Sequence, residues 1–172
     1  MAPLRCALGV AAVCACLSMS IVVAGETAEP AGRLNTIAPD FTRIDMSGRP
    51  LRLDQFKGRV VLLNFWATWC GPCIEEIPVF SRWQRQYGDA RLQVIGVSMD
   101  DEESAVKHFL AKHDVPYPIL MGDAKLGKSF GGVYGLPQSF LIDAHGKIVF
   151  RNVGELNLEA LRLQIEGLIG IH

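Results

Sequence analysis

The stretch Val60-Val61-Leu62-Leu63-Asn64-Phe65-Trp66-Ala67-Thr68-Trp69-Cys70-Gly71-Pro72-Cys73 decides how the rest of the chain is read. Val60 to Trp66 is a nearly unbroken apolar run of strand length, the pattern of a strand covered on both faces. Two cysteines separated by Gly71 and Pro72 follow almost at once. Pro72 suits the first turn of a helix, where its missing N–H has no partner to lose. Both sulfurs then lie at the positive end of a helix, where the dipole and the free N–H groups stabilise a thiolate. Cys70, first in the turn, is the expected outer sulfur and nucleophile. Cys73, one turn in, is the expected shielded, resolving thiol. Attack by Cys70 on a disulfide gives a mixed disulfide, which Cys73 cleaves.

The other cysteines sharpen this reading. The chain has 172 residues and five cysteines, and Cys6, Cys14 and Cys16 fall in an N-terminal stretch without charges from Cys6 to Ala24. After Arg5, that stretch reads as a secretory signal with small residues at Val22-Val23-Ala24. As a helix it is about 28 Å long, so an uncleaved anchor competes with that reading. Lipid attachment at Cys16 is a third alternative. All three export the remainder. Residues 1–24 are thus read as a signal peptide or membrane anchor, residues 25–34 as a polar linker, and residues 35–172 as one exported domain. Only Cys70 and Cys73 remain in that domain. A pair two residues apart closes almost no loop, so stabilisation is not its purpose. Zinc would need a second ligand pair at compatible spacing, and no metal is expected.

Composition excludes other classes. Seventeen Lys and Arg against eighteen Asp and Glu give a net charge of -1, without the basic excess of a nucleic-acid binder. A hydrophobic content of 49% supplies a core for a single domain. No G-x-G-x-x-G turn follows a strand, so no nicotinamide or flavin cofactor is expected.

Working outward, Phe41–Met46 and Leu51–Leu53 flank Ser47-Gly48-Arg49-Pro50 as a hairpin. The helix after Cys70 continues through Ile77, Phe80, Gln84 and Tyr87 to Gly88, with a kink expected at Pro78. Leu92–Val97 is a second buried strand. Asp100–Glu103 is an acidic helix start, and the helix carries Val106, Phe109 and Leu110 to a break at Val115-Pro116-Tyr117-Pro118. Ile119–Met121 is a short strand and Lys125–Phe130 a short helix, with Tyr134 assigned to the core near its end. Ser139–Asp143 and Ile148–Arg151 form a hairpin around Ala144-His145-Gly146-Lys147. Leu158, Leu161, Ile165 and Leu168 mark a final amphipathic helix. The pattern is an α/β fold with a central mixed sheet covered by helices.

Phe65 through Cys73 resembles a thioredoxin-fold active site. Ile37-Ala38-Pro39-Asp40-Phe41 through Gly58-Arg59-Val60-Val61, and then Gly135-Leu136-Pro137-Gln138-Ser139-Phe140-Leu141-Ile142-Asp143, are similar to segments of the TlpA/ResA-like periplasmic thiol-disulfide oxidoreductases. The likeness runs from about Ile37 to Ile169. It implies a thioredoxin-like fold with an N-terminal hairpin and an extra αβ insertion across Asp100–Leu120. It also implies a cis Leu136–Pro137 bond facing the cysteines, with a client strand pairing to the Leu136 backbone.

Cytosolic thioredoxins usually carry a buried Asp where this chain has Asn64, which cannot titrate. Glu76, three residues after Cys73, shares its helix face. In the ResA-like proteins a Glu at the matching position tunes the active-site thiols, so Glu76 is the expected proton acceptor for Cys73. The competing reading is a first-turn carboxylate serving only the dipole. Trp69 is expected on the surface as a client contact, Trp66 in the core, and Glu75 in solvent.

The function expected is reduction of client-protein disulfides. By resemblance, the clients are apocytochrome c cysteines or the cysteines of copper-delivery proteins. The chain would act as a monomer, with electrons from a membrane-embedded donor. Two alternatives compete. One is a thiol peroxidase of the peroxiredoxin type, against which stands the absence of a Pro between Asn64 and Trp69. The other is a copper(I) carrier using Cys70, Cys73 and His145.

Overall fold

The computed structural model describes residues 35–171. The leader, the linker and His172 lie outside the described residues. In chain order the strands and helices are β1 (Thr36–Ile37), β2 (Thr42–Ile44), β3 (Pro50–Arg52), a 3-10 turn (Leu53–Phe56), β4 (Val60–Trp66), α1 (Gly71–Arg91), β5 (Leu92–Ser98), α2 (Glu103–Leu110), β6 (Ile119–Met121), α3 (Ala124–Ser129), β7 (Gln138–Ile142), β8 (Lys147–Val153) and α4 (Leu158–Ile169). β2 and β3 pair separately as the expected hairpin, and the main sheet runs β1-β8-β7-β4-β5-β6. β4, β5 and β6 run parallel to one another, and β7 is antiparallel to both of its neighbours, β4 and β8. This is a thioredoxin-like α/β fold.

The apolar run of β4 is explained by its central position. Val60, Leu62 and Trp66 face one core, shared with Ile77, Phe80 and Trp83 of α1, Val106 of α2, and Leu161 and Ile165 of α4. Val61, Leu63 and Phe65 face the other, with Phe56 of the 3-10 turn and Leu126 of α3. Alternate side chains of a strand point to opposite faces, so a strand with two covered faces must be apolar throughout. β5 divides the same way, Leu92 and Val94 against Ile95 and Val97. Trp66 lies in the core as expected, and Gly96 on β5 makes room for it. A Cβ there would stand 2.5 Å from Ile119 Cδ1 and 3.1 Å from the Trp66 indole nitrogen.

Three expectations need correction. The α1 backbone stays helical past Pro78 and departs only at Gly88, at φ 64° and ψ 168°. Pro78 faces solvent, whereas that φ is one glycine adopts at no steric cost. Helix α2 starts at Glu103, with Asp100 turned inward ahead of it. Tyr134 is 85% exposed, because α3 ends at Ser129 and the chain leaves the core after Phe130. Among the described residues, no helix is long and apolar enough to cross a membrane.

Candidate active site

The C-terminal ends of β4 and β5 and the N-terminal end of β7 meet at one end of the sheet, because β5 pairs parallel to β4 and β7 antiparallel to it, with Phe65 opposite Gln138. β4 delivers Cys70 as the N-cap of α1, and the Cys70 Sγ accepts the Cys73 N–H at 3.3 Å. The two cysteines form a disulfide with Cα atoms 5.3 Å apart. Cys70 is 6% exposed and Cys73 fully buried. The sulfur at the cap is therefore the reachable one. Trp69, immediately before it, is 71% exposed.

The turn carrying Trp69 and Cys70 is fastened by Asp100. Its carboxylate accepts the Thr68 N–H at 3.0 Å, the Thr68 hydroxyl at 2.6 Å and the Ser98 hydroxyl at 2.8 Å. The sequence reading gave Asp100 a helix-dipole role and did not find this network. An acid after a strand and before a helix reads as a cap, and its partner Thr68 lies far upstream.

Glu76 is almost wholly buried, and its Oε1 accepts the Leu156 N–H at 3.1 Å. Its Oε2 is buried without a hydrogen-bond partner. Burial pushes the carboxyl up to about 7, the Leu156 N–H partly opposes this, and the nearby Glu155 charge adds to it. Helical i, i+3 spacing places Glu76 beside Cys73 on the buried face of α1. Tyr117 is buried near Glu76, and its hydroxyl is pushed upward by burial and then by the Glu76 charge. The sequence reading passed over Tyr117, whose only signal was a break between two prolines. Asn64 donates to the Ser139 hydroxyl at 2.9 Å, so this polar residue of the central strand is satisfied within the sheet.

The Leu136–Pro137 bond is cis. Pro137 is buried at the start of β7 and Leu136 is half-buried. Leu136 packs against the cluster that contains both cysteines. The Pro137 carbonyl accepts the Gly154 N–H at 2.8 Å, while the Leu136 N–H and C=O take part in no backbone–backbone hydrogen bond. His145 sits in the β7–β8 turn at the opposite end of the sheet, where Ile142 pairs with Val61. Roughly 17 Å of strand separates that end from the Trp66 end. The copper reading thus loses its third ligand. No group of three or more His, Cys, Asp or Glu able to hold a metal ion occurs among the described residues.

The chain is similar to known proteins. The Redoxin family model matches residues 33–164. The thiol-disulfide oxidoreductase ResA of Bacillus thuringiensis subsp. konkukian is 33% identical over 150 residues, which cover 87% of this chain and 86% of the relative. The thioredoxin-like protein YneN of Bacillus subtilis is 33% identical, over 75% of this chain and 76% of its own. Among solved structures, a thiol:disulfide interchange protein of the thioredoxin family from Chlorobium tepidum TLS superposes with a TM-score of 0.73 at 29% identity, covering 81% of this chain and all of the other. With a Cys-Gly-Pro-Cys pair capping α1 in a thioredoxin-like sheet, this chain belongs to the Redoxin family, among its ResA-like thiol-disulfide oxidoreductases.

Proposed function

We propose that this oxidoreductase reduces disulfides of exported client proteins, with Cys70 as nucleophile, Cys73 as resolving thiol and Glu76 as proton acceptor. The observation that carries the reading is the Cys70–Cys73 disulfide at the N-cap of α1, with a buried carboxylate one turn further whose second oxygen has no partner. In the reduced form the Cys70 thiolate attacks one client sulfur. A Cys70–client bond forms, and the other client sulfur leaves as a thiolate and takes a proton. Glu76 accepts the proton of the Cys73 thiol. The Cys73 thiolate then attacks the Cys70 sulfur, closing the Cys70–Cys73 disulfide and releasing the second client thiolate. Two electrons have passed from the dithiol to the client. A carboxyl held near 7 by burial suits this proton transfer close to neutral pH.

Trp69 and the Leu136–Pro137 edge are assigned to client binding. The free N–H and C=O of Leu136 offer a short strand edge, so recognition there depends on client backbone more than on side chains. Return to the dithiol needs two electrons from an external dithiol donor, which we place in the membrane. Residues 1–24 serve as export signal or anchor and residues 25–34 as tether, with the domain in the periplasm. Apocytochrome c cysteines or copper-delivery proteins are the clients of choice, since their paired thiols oxidise outside the cytoplasm.

Trapping tests the proposal. In Cys73→Ala the mixed disulfide through Cys70 cannot resolve, so the variant should accumulate a covalent client adduct whose partner mass spectrometry identifies. Absence of any adduct, together with peroxide turnover by a wild type inert toward insulin-type disulfides, would replace this reading with the peroxidase.

A further inference from the structure

Eight large hydrophobic side chains are exposed among the described residues, and three of them, Trp69, Tyr134 and Val153, belong to segments at the sheet end that carries the disulfide. Their convergence follows from the register. Val153 ends β8 opposite Gln138, Gln138 lies opposite Phe65, and Tyr134 stands three residues before Pro137. Tyr134 and Val153 have no part in the exchange described above.

The segment bearing Tyr134 is held in place. The Gly132 carbonyl accepts the Gln138 side-chain amide at 3.0 Å and the Arg151 guanidinium at 3.1 Å. Gly132 has φ +96°, and a Cβ at that position would overlap the Tyr134 ring. The ring therefore lies over a backbone position that only glycine leaves open, while remaining the most exposed of the large hydrophobic side chains among the described residues. A tyrosine presents a large, stiff contact surface at low conformational-entropy cost, which suits it to meeting a partner.

The occupant follows from access to the sulfur. Cys70 is only 6% exposed, so a narrow, extended segment suits access to it, and such a segment brings the side chains next to the attacked cysteine to this sheet end. We propose that Tyr134, with Val153 and Trp69, forms an apolar rim that selects extended polypeptides carrying a large aromatic or aliphatic side chain beside the attacked cysteine. The selection rests on the reading of Cys70 as the client-facing nucleophile. It adds a side-chain preference to the backbone pairing at Leu136.

The test uses two cyclic peptides closed by a Cys–Cys disulfide, identical except for Phe or Ser beside the first cysteine. Reduced full-length protein is mixed with each in a stopped-flow fluorimeter and the second-order rate constants are compared. The wild type should favour the Phe peptide by about fivefold, the scale of one aromatic contact. Tyr134→Ala should bring the ratio close to one, and Tyr134→Phe should keep it. Equal rates for both peptides in the wild type, or an undiminished ratio in Tyr134→Ala, overturns the rim. A wild type that reduces 5,5′-dithiobis(2-nitrobenzoate) but neither peptide overturns the client-reduction reading as well. A dimer in sedimentation that dissociates on Tyr134→Ala, with equal peptide rates, assigns the rim to a second copy of this chain and overturns the selection.

Discussion

As the proposed proton acceptor, Glu76 links the chemistry of the site to the stability of the fold. Its carboxyl titrates at about 7 in the folded protein against 4.5 as its ordinary value, because burial disfavours the charged form. A carboxyl raised in this way binds its proton more tightly when folded. Its neutral form is fully compatible with folding below pH 4.5, and stability is lost as pH rises from there through 7. Glu76→Gln removes that loss. Relative to its difference from the wild type at pH 4, the oxidised variant should gain about 3 kcal/mol at pH 8, read from urea unfolding at both pH values. The same variant should exchange disulfides more slowly above pH 7, with a flattened pH profile. A wild-type-like profile would remove Glu76 from the proton transfer. Its place beside Cys73 was legible because the two are three apart on one helix, while the role proposed for it came from the resemblance to the ResA-like proteins. Its unpartnered Oε2 and its bond to Leu156 were not legible, since Leu156 arrives from the end of the chain.

At the scale of elements, the site is a junction between α1 and the ends of β4, β5 and β7. The N-cap of α1 is set by Cys70 itself, and the turn before it is pinned to the end of β5 through Asp100. Asp100→Ala leaves the Thr68 N–H and two hydroxyls without this acceptor. It should cost about 2–4 kcal/mol, since a buried donor left unpaired loses its hydration without compensation. Urea unfolding measures the loss, and stopped-flow exchange should show a slower Cys70, because the turn presenting it is no longer tied down. An unchanged unfolding midpoint would mean the turn holds without Asp100. Helical periodicity made α1 and α4 readable, and apolar runs of strand length made β4 and β5 readable. Pro78 misled because proline in a helix usually marks a bend, yet here the backbone departs at Gly88.

For the molecule as a whole, a six-stranded sheet is covered by α1, α2 and α4 on one face and by α3 and the 3-10 turn on the other. Helix α4 closes the face behind the site, with Leu161 and Ile165 fully buried against it. Leu161→Ala should destabilise the protein by about 2–5 kcal/mol, the transfer term plus the cavity left behind. Calorimetry checks this, and a loss under about 1 kcal/mol would mean that α4 does not seal the core. The buried Glu76 depends on the same closure, because its partner N–H belongs to Leu156, just ahead of α4.

The amino-acid sequence alone determined the order of the strands from β2 onward and of the four helices, the cysteine pair and the spacing of Glu76 from it. Each of these is encoded within a few residues of itself, by a local period or a fixed spacing. The tertiary structure decided which distant groups meet: Asp100 with Thr68 and Leu156 with Glu76, with Tyr134 and Val153 brought to the sheet end that carries the disulfide. It also placed His145 away from the cysteines. Strand pairing sets such meetings, and its register is the joint result of contacts along the whole sheet, so no single segment carries it.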